Sequence, residues 1–106
     1  MNECVSLEEV RAQIDRLDRR IVGMLAERGG YVKQAARFKK SDADVRAPQR
    51  VEQVVAKAVG LANELGANPA VVERVYRAMI AGFIEAELDE VRGRAVQSGH
   101  SGDKGD

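Results

Sequence analysis

From Val10 to Phe38 one series of positions recurs in alternating steps of four and three: Val10, Ile14, Leu17, Ile21, Met24, Arg28, Tyr31, Ala35 and Phe38. Only Arg28 in that series is charged. This is a heptad-like seam rather than a broad apolar face, and its period carries on to about Lys40. Ser6, with Glu9 three residues later, forms a capping box, and Val5 and Val10 stand where a hydrophobic staple would bracket it, so the helix starts at Leu7. A helix of roughly 34 residues is about 50 Å long at 1.5 Å per residue. A compact domain of 106 residues has a radius of gyration of only about 13 Å. One chain folded alone therefore cannot bury the seam. A second long helix beside it can, and the rest of the chain holds only two shorter segments, so the expected source is another subunit. Gly29 and Gly30 lie within the pattern, each at a cost of about 1 kcal/mol against Ala. They imply either a break or the close approach of a partner backbone.

Beyond the seam, Ser41 to Ala47 carries charge without a period and reads as a loop. Pro48 suits the first turn of a second helix, which places Val51, Val54, Val55, Ala58, Ala62 and Leu65 on one face and stops at Gly66. Asn68 and Pro69 start a third helix as N-cap and first helical residue. Its stripe is wide: Val72, Val75, Tyr76, Met79, Ile80, Phe83, Ile84, Leu88 and Val91. The expected fold class is all-α, with three helices per chain, one very long and two shorter, over residues 1–92. Residues 93–106 turn to Gly, Ser, Asp and Lys and are expected to form a disordered tail.

Composition narrows the functional classes. Charged residues make up 32% of the chain but balance at 17 basic and 17 acidic, so no net field draws it to nucleic acid or membrane. Anion binding must come from placed cations. The aromatic fraction is 4% without Trp, as expected of helices packed on helices. Cys4 is the only cysteine, which rules out an internal disulfide and a Cys-based metal site within one chain, and fits a reducing cytoplasm. Glu3 and Cys4 stand where a signal peptide would carry basic and then apolar residues, so a soluble protein not exported by that route is expected. Without a phosphate loop, HExxH or paired CxxC, neither a metal nor a nucleotide cofactor is expected. His100 sits in the tail, away from any site.

Four charged groups remain of interest. Arg28, one turn from Met24, Tyr31 and Val32, faces packed side chains, and a buried cation needs an anion. That anion is either a protein carboxylate or a ligand's, for which the guanidinium fork is suited. Lys39 lies eleven residues on, about 20° off the same helix face and some 16 Å along the axis, or else merely offsets the helix dipole. Arg11 is about 25 Å from Arg28 along the helix, too far to share a small ligand. It is either a surface residue or serves the other subunit's site. Glu87, framed by Ile80, Ile84, Leu88 and Val91, is an acid at an apolar edge, where desolvation favours the neutral form. Ionised it would repel a dianion; protonated it could donate to one. The alternative is a salt-bridged surface glutamate.

The run VRAQIDRLDRRIVGMLAERGGYVKQAARFK at residues 10–39, with VRAPQRV at residues 45–51, resembles the all-helical (type II) chorismate mutases. The likeness covers roughly residues 7–91. It implies three helices per chain in an intertwined homodimer with two active sites, each built from both subunits, and no cofactor. It also implies a small dicarboxylate substrate, chorismate or isochorismate. By the resemblance, Arg11 is lent to the neighbouring site and Arg28 grips a carboxylate within its own chain. Lys39 reaches the ether oxygen, and protonated Glu87 lies on that oxygen's other side. Conversion of chorismate to prephenate needs no nucleophile. It needs cations that hold the substrate in its reactive conformation and donors at the ether oxygen.

There are departures from the family pattern. Ala47 and Val51 stand where typical members carry acids that bind the ring hydroxyl, and Phe83 where a serine often helps. The family also includes isochorismate-pyruvate lyases, which give salicylate and pyruvate, and the segments YVKQAARFK and APQRV resemble those equally. Lyases are expected to carry glutamine in place of Glu87, which ranks the mutase first. A third possibility, of a different class, is a non-catalytic helical dimerisation module, for which the seam alone suffices.

Overall fold

The computed structural model describes residue 1 and residues 3–99, with side chains as far as Gly93. Among them every regular element is a helix: α1 (Leu7–Ala36), α2 (Asp42–Arg46), α3 (Pro48–Leu65) and α4 (Pro69–Gly99). The chain divides into two compact units, Met1–Tyr31 and a second that begins at Val32. No helix among the described residues is long and apolar enough to cross a membrane.

The first unit is the N-terminal cap and most of α1. Ser6 Oγ accepts from the Glu9 N–H at 3.1 Å, and Glu9 Oε1 accepts from the Val5 N–H at 3.0 Å. The helix thus begins at Leu7 as expected, although the reciprocal bond falls one residue before the cap. The staple does not form a buried pair, since Val5 is 86% exposed. Helical backbone runs without a break through Gly29 and Gly30. The seam residues Val10, Ile14, Leu17, Ile21, Met24 and Tyr31 are all exposed, from 40% at Val10 to 65% at Tyr31.

In the second unit α1 ends at Ala36, earlier than the period predicts. The N–H groups of Arg37, Phe38 and Lys39 donate to the carbonyls of Gln34, Ala35 and Ala36, an i→i−3 pattern that tightens the last turn and takes the chain off the α-helical course. Where a loop was expected, residues 42–46 form α2. Ser41 caps it, accepting from the Asp44 N–H at 3.2 Å, and Val45 is buried beneath it. Pro48 then opens α3 at its first helical position. Gly66 closes α3 in the left-handed conformation (φ 77°), donating to Ala62 O, while the Ala67 N–H reaches the same carbonyl at 2.8 Å. Asn68 Oδ1 caps α4 through the Ala70 and Val71 N–H groups, at 3.0 and 3.3 Å.

The three-helix plan holds, with α2 as an added short element. The third long helix is not a shorter one, however. At 31 residues against 30, α4 matches α1 in length. It passes Gly93, where the tail was expected to begin, because a single glycine costs only about 1 kcal/mol among the good helix formers around it. Residues 100–106, the rest of that expected tail and the place of His100, lie outside the described residues.

Helices α3 and α4 pack on each other, and α2 packs on α4. The core they share with the end of α1 is small: Ala36, Val45, Val55, Ala58, Ala62, Ile80 and Leu88. Leu65 and Val75, both expected on apolar faces, are 75% and 56% exposed. An exposed ionic clasp adds to the α3–α4 contact. Arg77 donates from Nη1 and Nη2 to the two Glu52 oxygens at 2.9 and 3.0 Å, and from Nε to Glu73 at 3.0 Å.

Hydrogen bonds from Arg77, and then its charge, hold the Glu52 carboxyl below its ordinary titration range. A carboxyl whose folded value is depressed contributes stability above its unfolded value and loses it as pH falls through the folded one. Arg77→Ala is therefore expected to lower the thermal midpoint slightly at neutral pH and low salt. The deficit should shrink at high salt and at acid pH. Melting curves at two pH values and two salt concentrations check this. A deficit that persists unchanged in acid and high salt would instead mean lost packing of the arginine stem.

Candidate active site

Helix α4 sets an acid in an otherwise apolar surrounding. Glu87 lies one turn beyond Phe83 and next to Leu88, and at 5% exposure it is the sole buried charged residue among those described. Desolvating a carboxylate is costly unless a cation accompanies it. Lys39 supplies one, its Nζ 2.8 Å from Glu87 Oε2 and its side chain 28% exposed. Of the two sequence readings of Glu87, a protonated donor and a salt-bridged surface glutamate, the structure shows an ion pair, but with the acid buried and not at the surface. Oε2 is buried, and the ion pair with Lys39 is its one contact recorded among the described residues.

Lys39 reaches this position because it is not on the helix. The i→i−3 bonds after Ala36 carry it into the turn before α2. The reckoning of 100° per residue that set Lys39 on the face of Arg28 therefore does not apply. Residues that sequence reasoning passed over steady the same turn. Asp44 Oδ2 accepts from the Lys40 N–H at 3.1 Å, and Arg92 Nη2 donates to Asp42 Oδ2 at 2.9 Å. Ser41 followed by Asp44 is itself a capping signal, and it could have revealed α2. The Asp42–Arg92 contact spans 50 residues and has no such local mark.

The remaining candidates fall as follows. Arg11 and Arg28 lie on the part of α1 that belongs to the first unit; Arg11 is exposed and Arg28 half-buried. Seventeen residues of helix set them about 25 Å apart. Ala47 joins α2 to α3 at φ 29°, a strained conformation for a residue with a Cβ. Val51 is half-buried in the first turn of α3, and Phe83 is half-buried on α4. Of these candidates, Lys39 and Glu87 are in direct contact.

The sequence profile described as chorismate mutase type II matches residues 10–88. The chain belongs to that family. The span takes in Arg11, Arg28, Lys39, Ala47, Val51, Phe83 and Glu87. The chain is also 36% identical over 86 residues to a Pseudomonas aeruginosa protein named isochorismate pyruvate lyase, covering 81% of this chain and 85% of that one. Within a chorismate mutase type II chain, the Lys39–Glu87 pair stands for a polar pole held on α4 and on the turn before α2.

Removing the lysine should expose the cost of that pole. Lys39→Ala leaves a buried, unaccompanied carboxylate and is expected to lower unfolding stability by about 1–3 kcal/mol. Adding Glu87→Leu to it should recover part of the loss. Urea denaturation of the two variants measures both effects; equal stability of Lys39→Ala and wild type would mean the pair contributes nothing to the fold.

Proposed function

We propose that the protein is a chorismate mutase, converting chorismate to prephenate in an active site shared between two copies of the chain. The observation that carries this reading is the contact of Lys39 with buried Glu87 at 2.8 Å, within a family whose chemistry needs donors on both sides of an ether oxygen. In the rearrangement one C–O bond breaks as one C–C bond forms, with the electrons redistributed inside the substrate. No nucleophile, base or co-reactant takes part. The protein has two tasks: to hold the enolpyruvyl arm over the ring, and to meet the negative charge growing on the ether oxygen.

For the second task the ion pair opens as substrate enters and Glu87 takes up one proton from water, which sets the Lys39 ammonium on one side of the ether oxygen and the neutral Glu87 carboxyl on the other. A preorganised donor of this kind is worth roughly 10²–10³ in rate. For the first task Arg28 grips one carboxylate. Arg11 on the same helix is about 25 Å away, beyond the reach of a small dicarboxylate, so it serves the site of a second copy. The exposed seam of α1 supports the same pairing, because an apolar stripe of this length is stable in water only when another helix covers it.

A second reading is favoured by two specific observations. The relative is named an isochorismate pyruvate lyase, and Ala47 and Val51 offer no carboxylate to a ring hydroxyl. Isochorismate-pyruvate lyase activity would use the same arginines and the same pole. Glu87, an acid where a lyase is expected to have glutamine, ranks the mutase first.

Chorismate and isochorismate, incubated separately with the protein and followed by product identification, distinguish the readings. Prephenate from chorismate is expected. Salicylate with pyruvate from isochorismate, and no prephenate, would establish the lyase; a folded dimer that leaves both unchanged would leave the non-catalytic dimerisation module. The shared site has its own test. Arg11→Ala and Arg28→Ala are each expected to abolish most turnover, and mixed subunits to regain part of it, since one site of the hybrid holds both arginines. Stable hybrids without recovery would contradict a site built from two chains.

A further inference from the structure

We propose that Arg92 and Asp42 act as positioning residues for Lys39, an ionic latch that keeps the turn between α1 and α3 seated on α4 while the Lys39–Glu87 pair is open. The inference rests on the reading of Lys39 as the donor to substrate. Among the described residues, ionic contacts join helix α4 to this turn from Glu87 to Lys39 at 2.8 Å and from Arg92 to Asp42 at 2.9 Å. The first contact is the one that must be given up when a substrate oxygen takes the ammonium. What then keeps the turn in place is the buried Val45 and the second contact.

The turn is built to transmit that restraint. Lys40, the next residue after Lys39, donates its N–H to Asp44, and Asp44 donates its own N–H to Ser41 Oγ. The Val45 N–H bonds to Ser41 O at 3.2 Å. Asp42 is thus one residue past a cap whose bonds reach back to the residue beside Lys39. Asp89 and Glu85, on the same helix as Arg92, add weaker attraction, but the short contact is with Asp42. Both latch side chains are about half exposed, at 56% and 50%. Such a pair contributes little to global stability. The seating of a short turn is a local equilibrium, however, and there an effect of this size changes the population of the competent state.

The test joins kinetics to amide exchange. Arg92→Ala should lower kcat by roughly two- to fivefold with KM nearly unchanged, the size expected for one exposed pair. Arg92→Lys should restore part of it, and Asp42→Arg combined with Arg92→Asp should recover more than either substitution alone. In substrate-free protein, exchange at the amides of Lys40, Asp44 and Val45 should quicken in Arg92→Ala and slow again in the reversed pair, while Val55 to Ala62 in α3 stay as protected as in wild type. Unchanged exchange, or an active enzyme whose kcat does not respond, would overturn the latch. A wild type that turns over neither chorismate nor isochorismate would overturn the reading of the site, and with it the positioning role, whatever the exchange shows.

Discussion

An apolar seam without a cover sets the terms for this protein. Val10, Ile14, Leu17, Ile21, Met24 and Tyr31 of α1 all remain exposed within one chain. Covering what is still in water on those six side chains is worth roughly 5–10 kcal/mol per chain. That is comparable with the whole net stability of an ordinary domain. The core of the second unit is made of alanines, valines and single Ile and Leu residues, with no large side chain fully buried among those described. A fold with so modest a core has little to set against an uncovered seam, and the proposed second copy answers both needs.

The same constraint shapes the chemistry. A single chain of the chorismate mutase type II family carries one polar pole, Lys39 against Glu87, and two arginines spaced too widely along α1 to serve one small dianion. In the proposed dimer, an arginine near the start of one long helix assists the site of the other. Net charge is zero, so recognition of a dianion depends on where cations stand, not on a general field. In the resting protein the Lys39 ammonium is occupied by Glu87. In the proposed mechanism substrate therefore enters by displacing Glu87 from the ammonium, with Glu87 neutralised by proton uptake.

Much of this was legible in the sequence because it rests on local chemistry. The Ser6–Glu9 cap, the Gly66 stop and the Asn68–Pro69 start are each decided within a few residues, and each stands where the pattern put it. The seam was legible from its period, and its exposure in one chain matches the length argument. Tertiary features were not legible. The end of α1 moved from about Lys40 to Ala36 because i→i−3 bonding and the burial of Ala36 override a period that nominally continues. Helix α2 was hidden by the absence of any apolar repeat in five residues, and Val45 alone anchors it to the core. Proximity of Lys39 to Glu87 came only by way of family resemblance, since no spacing rule relates residues 48 positions apart.

The mass of the protein in solution tests the central claim most directly. Sedimentation equilibrium across a range of concentrations should give about twice the 11.6 kDa of the chain, with the helical signal lost together with the dimer on dilution or on Leu17→Lys substitution in the seam. A stable, fully helical species at the mass of one chain would contradict it, because the seam would then need no partner and Arg11 would have no second site to serve.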